Sequence, residues 1–217
     1  MSKEREVRPR PAEVVREYGP FGTDHIAGLT FDGERVWYAA KDRMQSLDVE
    51  EGSLGAAFAV PATAGTAFDG RHFYQIGNDV IRKVDAKTGA VVKSMPTPGP
   101  PGTCAGLTWA EGKLWVGVHK SRKILQLDPE TGRVLKEIPT ARFVTGVTFV
   151  DGDLWHGTLE NEVSDLRRVD PDTGEELDRL EMPEGTYVTG LETDGKDLLY
   201  CGGGASSKVR AVKRPKR

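Results

Sequence analysis

An imidazole titrates near neutrality and moves a proton when a carboxylate orients its second nitrogen. His156 with Glu160 or Glu162 offers that pairing, and Tyr38 or Tyr187 supplies a phenol that could donate to an oxyanion. With His25 added, the same groups make a set of two imidazoles and a carboxylate that could hold a divalent metal. No motif requires either chemistry. The chain has no HExxH, CxxC, GxSxG or P-loop, and Gly202-Gly203-Gly204 ends a strand instead of opening a helix. The DPxTG segments lack the alternating carboxylates of a calcium loop. The catalytic candidates are therefore His25, Tyr38, His156 and Glu160, with the metal question open and the cofactor unknown.

What positions these residues is an internal repeat. One unit recurs as AGLTFDGERVWYAA, AGTAFDGRHFYQIG, AGLTWAEGKLWVGV, TGVTFVDGDLWHGT and TGLETDGKDLLYCG. The anchoring glycines are Gly28, Gly65, Gly106, Gly146 and Gly190, separated by 37, 41, 40 and 44 residues on subtraction. Each unit reads as four strands. A and B are joined by a tight Asp-Gly or Glu-Gly turn, and C and D by DPETG-type turns in which Gly takes the positive-φ position. Four strands at a period near 40 predict an all-β fold, a five-bladed β-propeller with four antiparallel strands per blade. The fifth unit stops after a C strand. Residues 13–20 resemble the D strand at 133–139, so the N-terminal strand is expected to close the last blade. The predicted organisation is a disordered arm over 1–12, the propeller over 13–214 and a basic tail over 215–217.

Aligning the units shows what each sends to one mouth of the channel. Three residues before the glycine stand His25, Ala62, Thr103, Phe143 and Tyr187; late in strand B stand Tyr38, Gln75, Val116, His156 and Cys201. The B–C loops carry Lys41-Asp42, His119-Lys120 and Glu160-Asn161-Glu162 among others. Structural positions in a near-symmetric ring should match from blade to blade, whereas positions around an axial ligand are free to differ. Gln75, Thr103, His119, Phe143 and Tyr187 are thus the substrate-binding candidates. Trp37, Trp115 and Trp155 recur in one column and read as packing between blades.

The units GLTFDG…LWVG…ILQLDPETGRVL resemble the YVTN/quinoprotein-like propellers, and most closely the five-bladed glutamine cyclotransferases. Streptogramin B lyase propellers are a fainter likeness, with more blades. The cyclotransferase family opens its first blade with Phe-Thr-Gln-Gly-Leu and carries an acid in a Leu-Tyr-Glu-Ser-type B strand. Here His25-Ile26-Ala27-Gly28-Leu29 and Tyr38 stand at those places, so the pocket residues are not matched. The cluster of unlike residues at equivalent blade positions points to a small-molecule site at the channel mouth, with lyase or cyclotransferase-like acid/base chemistry as one reading of it. The other reading is a rigid platform for a peptide or protein, without catalysis.

Composition bounds the partners. Thirty-three acidic against thirty basic residues give a formal charge of −3, which argues against nucleic acid. No apolar run is long enough to span a membrane, and the charged start does not read as a secretory leader. Two cysteines make no disulfide framework, so a reduced, cytoplasmic monomer is expected.

Overall fold

The computed structural model describes residues 7–216, and among them there is no helix. The chain begins with β1 (Arg10–Pro11) and β2 (Val14–Tyr18), then builds blades in order. Blade 1 is β3 (Leu29–Phe31), β4 (Val36–Ala40), β5 (Arg43–Leu47) and β6 (Leu54–Phe58). Blade 2 is β7 (Thr66–Phe68), β8 (His72–Gly77), β9 (Val80–Asp85) and β10 (Val91–Pro96). Blade 3 is β11 (Cys104–Ala110), β12 (Lys113–Val118), β13 (Lys123–Leu127) and β14 (Val134–Pro139). Blade 4 is β15 (Val144–Val150), β16 (Asp153–Thr158), β17 (Asp165–Val169) and β18 (Glu176–Glu181). Blade 5 is β19 (Gly190–Thr193), β20 (Leu198–Gly202) and β21 (Val209–Lys213), with β2 as its outer strand.

The expected closure is present: β2 pairs antiparallel with β21, Tyr18 opposite Val209 and Glu17 opposite Arg210. Of residues 1–12, expected as an arm, 1–6 lie outside the described residues. Arg10–Pro11 runs parallel to β18 as a fifth strand of blade 4. There is a steric reason. In blades 1 to 3 the outer strand packs against the next blade's C–D turn, Phe58 against Gly89, Met95 against Gly132 and Ile138 against Gly174. Blade 5 borrows its outer strand, so it has no C–D turn to offer blade 4. The N-terminal chain fills that place, burying Ala12 with Leu180 and Met182. Of the tail at 215–217, Arg217 lies outside the described residues.

The five recurrent glycines explain themselves on the axis. A Cβ at Gly28 would lie 2.4 Å from the Ala64 oxygen, and one at Gly65 would lie 2.4 Å from Leu107 N. At Gly106 it would lie 2.6 Å from Val147 N, at Gly146 2.3 Å from Leu191 N, and at Gly190 2.2 Å from the Ala27 oxygen. Each inner strand therefore touches the next backbone to backbone, and the circuit closes on blade 1. Only a residue without a side chain permits that approach. The channel is pinched there, which separates an upper mouth, where the inner strands begin, from a lower one.

Outside this ring the blades stack through aromatic side chains. Trp37, Tyr74, Trp115, Trp155 and Tyr200 occupy one column, opposite Thr30, Ala67, Thr108, Thr148 and Glu192 on the inner strands. Tyr74 stacks on Trp109, Trp115 on Phe149 and Tyr200 on Phe31, each reaching into the next blade. Such pairs contribute about 0.5–1.5 kcal/mol each beyond their buried area. The C–D turns are locked by their aspartates: Asp128 Oδ1 accepts from Glu130 N, Thr131 N and the Thr131 hydroxyl. Gly132 follows at φ 72°, as the DPETG pattern requires.

Candidate functional site

The upper mouth is assembled from the loops that enter strand A and those that join B to C. Its open part is a cleft of about 460 Å³ at the seam of blades 1 and 2. The loop before β3 contributes Thr23, Asp24 and His25; the β4–β5 turn contributes Lys41 and Asp42; Thr63 comes from the chain entering β7. Ala27, one residue before the ring glycine, also lines it.

Local chemistry holds the His25 loop. Ser207 accepts from Phe21 N through its carbonyl and hydroxyl (2.9 and 3.1 Å), and its hydroxyl also accepts from Thr23 N at 3.1 Å. Phe21 stacks on Tyr38 at 5.4 Å. The His25 ring lies against Gly204, where an added Cβ would sit 3.3 Å from His25 Cε1. Thr189 Oγ1 links the two segments, donating to the Ile26 oxygen at 2.6 Å and accepting from Gly204 N at 3.0 Å. One side of the imidazole is thus desolvated while the rest faces the cleft, and the burial lowers its pKa. At neutral pH it is an uncharged base, and neither ring nitrogen has a hydrogen-bond partner among the described residues. Lys41 is held at φ 62° by Ala62 N, which donates to its carbonyl at 2.8 Å. Base, ammonium and carboxylates thereby share one cleft.

The other sequence candidates lie elsewhere. Tyr38 is fully buried between blades 1 and 5, its hydroxyl without a partner among the described residues and its pKa pushed up to about 12 by burial. Gln75 is also buried: its amide donates to the oxygens of Ala64, Gly65 and Ile76, and its Oε1 accepts from Thr66. His156 is 1% exposed inside blade 4. Burial, helped by the Arg167 charge, drops its pKa to about 4, and its Nδ1 lies 3.4 Å from the Gly157 oxygen. It meets neither His25 nor Glu160, so the two-imidazole set is not assembled. No group of three metal-ligating side chains occurs among the described residues. Tyr187 is half-buried in the loop before β19, and Thr103 donates to the Pro100 oxygen at 2.6 Å.

Three candidates do meet, at the seam of blades 3 and 4. His119 lies 4.9 Å from Phe143, whose ring carries the Arg122 guanidinium at 5.0 Å. Arg122 and Arg142 both pair with Glu160. Arg142 also donates to Asp165 (2.9 Å) and to the oxygens of Glu160 and Val163. Asp165 in turn accepts two bonds from Arg167 at 2.8 Å and one from Thr158 at 2.7 Å. These cations hold the Asp165 carboxyl below its usual range despite burial. Glu160 is consumed by this network and is not free to orient an imidazole.

One titratable group on the axis was missed. Glu192 stands two residues after its ring glycine, below the constriction, and is buried. It accepts from Thr30 of blade 1 at 3.0 Å, from Thr148 of blade 4, and from Thr193 N at 2.8 Å. Burial outweighs those donors and raises its pKa to about 7. The sequence held the signal: among Thr30, Ala67, Thr108 and Thr148 the acid is the odd member of its column.

No protein-family model matches the chain. No curated protein matches its sequence either. Among solved structures, the crystal structure of Myxococcus xanthus glutaminyl cyclase is similar, with a TM-score of 0.79 and 15% identity over 96% of this chain and 98% of that one. A chain of a mitotic checkpoint complex is similar at a TM-score of 0.59 and 11% identity, over 100% of this chain and 96% of that one. At such identities the likeness is one of fold, and the first, with the five blades seen here, supports a propeller of the cyclotransferase type for this chain.

Proposed function

We propose that the cleft around His25 binds a small polar molecule and that His25 acts in it as the general base of a cyclotransferase-like reaction. The observation that carries this reading is a neutral imidazole without a hydrogen-bond partner among the described residues, opening into about 460 Å³ at the upper mouth. The likeness in fold to a glutaminyl cyclase supports the reaction class. In that class an α-amine attacks a side-chain carboxamide. A C–N bond forms, the C–NH₂ bond breaks, and ammonia leaves. The proton given up by the amine passes to the base and then to the departing ammonia, so no oxidant and no water is consumed. Here Lys41 would stabilise the oxyanion and Asp24 or Asp42 the incoming ammonium.

The test is ammonia release from a glutaminyl dipeptide by the intact protein. His25→Ala should reduce kcat at least about 100-fold, the usual worth of a general base, and Lys41→Ala should also lower kcat, with KM little changed, because its cation acts on the oxyanion. No turnover above buffer, or an unchanged kcat in His25→Ala, would remove the reading. The platform reading draws on apolar side chains along the outer strands, among them Val92, which is 55% exposed. It predicts that neither variant changes any measured binding.

A further inference from the structure

On the lower face a groove of about 960 Å³ runs between blades 5 and 1. Tyr18, Phe31 and Tyr200 give it aromatic walls, and the acids Glu34, Asp48, Glu50 and Asp194 outnumber the cations Arg16 and Lys196 along it. One ring already holds a cation: the Arg16 guanidinium lies 4.8 Å from the Tyr18 centroid and donates to the Val49 oxygen at 3.0 Å. The stacked pair of Phe31 and Tyr200, centroids 6.3 Å apart, carries no cation among the described residues.

Tyr200 is 3% exposed, so its ring belongs to the core, yet it lines the groove and its hydroxyl has no hydrogen-bond partner among the described residues. Two of its counterparts differ, although Trp115 Nε1 is likewise without a hydrogen-bond partner among the described residues. Trp37 Nε1 donates to Asp32 at 2.6 Å and the Tyr74 hydroxyl to Asp69 at 3.3 Å, in each case the aspartate of the same blade's A–B turn. Blade 5 keeps that aspartate as Asp194. However, Tyr200 stands ten residues after its ring glycine (190 to 200) where Trp37 stands nine after its own (28 to 37). The longer turn binds Asp194 Oδ1 to Lys196 N and Leu198 N and leaves the phenol unmatched.

We infer that this groove is a binding site for an organic cation of the alkylammonium class. The ammonium donates to the Tyr200 oxygen and the Asp194 carboxylate, and the alkyl stem lies against the half-buried Phe31 ring. Asp48 and Glu50 add attraction at longer range.

The experiment is a titration of the full-length protein with n-butylammonium, followed by backbone amide shifts, with n-butanol as the neutral control. Saturable shifts confined to Phe31 and 194–200 are expected, with n-butanol at least tenfold weaker. Tyr200→Phe and Asp194→Asn should each weaken binding about tenfold, the scale of one charge-assisted hydrogen bond. Equal binding of n-butanol, shifts scattered over the surface, or wild-type affinity in both variants would overturn the site. Should Asp194→Asn unfold, Tyr200→Phe decides alone, because it keeps the packed ring. His25→Ala should bind n-butylammonium normally, which keeps this result separate from the upper cleft.

Discussion

The seam between blades 3 and 4 and the seam between blades 1 and 2 use equivalent loops on the same face. In the first, Arg122, Arg142 and Arg167 meet Glu160, Asp165 and Glu176, and the charges are spent on each other. In the second, His25, Asp24 and Lys41 face about 460 Å³ of open space. Both seams rest on the same ring of glycine contacts. A fixed backbone scaffold therefore leaves the loops to choose between internal pairing, which rigidifies, and polar groups that face open space.

Breaking the saturated seam should have the largest effect. Arg167→Ala leaves Asp165 buried with Arg142 as its remaining cation, and we expect a loss of about 3 kcal/mol in urea unfolding. A loss below about 1 kcal/mol would show the network to be solvated. Next comes the axial carboxyl below both seams. The folded pKa of Glu192, about 7, lies above its ordinary 4.5. Between these values the native state holds the extra proton. Its contribution is fully present below about pH 4.5 and is lost as pH rises through 7. At about 1.4 kcal/mol per unit this sets a ceiling of about 3–4 kcal/mol. Wild-type stability minus that of Glu192→Gln should therefore fall over this range. A flat difference would mean that the carboxyl titrates normally.

Gly146→Ala tests the shared foundation. The new methyl would meet Leu191 N at 2.3 Å, a backbone atom that cannot swing aside. Overpacking should cost about 1–3 kcal/mol and lower the thermal midpoint. An unchanged midpoint would show that the ring is looser than its contacts imply. The smallest effect sharpens the contrast from the open side. His25→Ala removes no hydrogen bond of the imidazole among the described residues, so stability should stay within about 0.5 kcal/mol while any activity is lost. A loss as large as that of Arg167→Ala would erase the distinction between the seams.

The repeat made the propeller legible because its turns are chemically explicit. Asp-Pro-Glu-Thr-Gly at 128–132 encodes its own hydrogen bonds and a positive φ, and the matching strand at residues 13–20 announced the closure. The site was read less completely. The blade alignment correctly sorted Trp37 and Trp115 as packing residues, and it found His25, which lines the cleft. The same alignment favoured Gln75, Tyr38 and His156, which are buried. Difference from blade to blade marks a break in symmetry, and a break can be satisfied internally, as Gln75 is by three carbonyls.

Strand number, turn type and the glycine column follow from the order of residues alone, since each rests on contacts within a few positions or on a missing side chain. Which polar groups end up paired is decided by contacts between blades. Glu160 meets Arg122 from 38 positions away, and Glu192 meets Thr30 across 162. No local pattern encodes such distances, because closing the ring is what brings those side chains together.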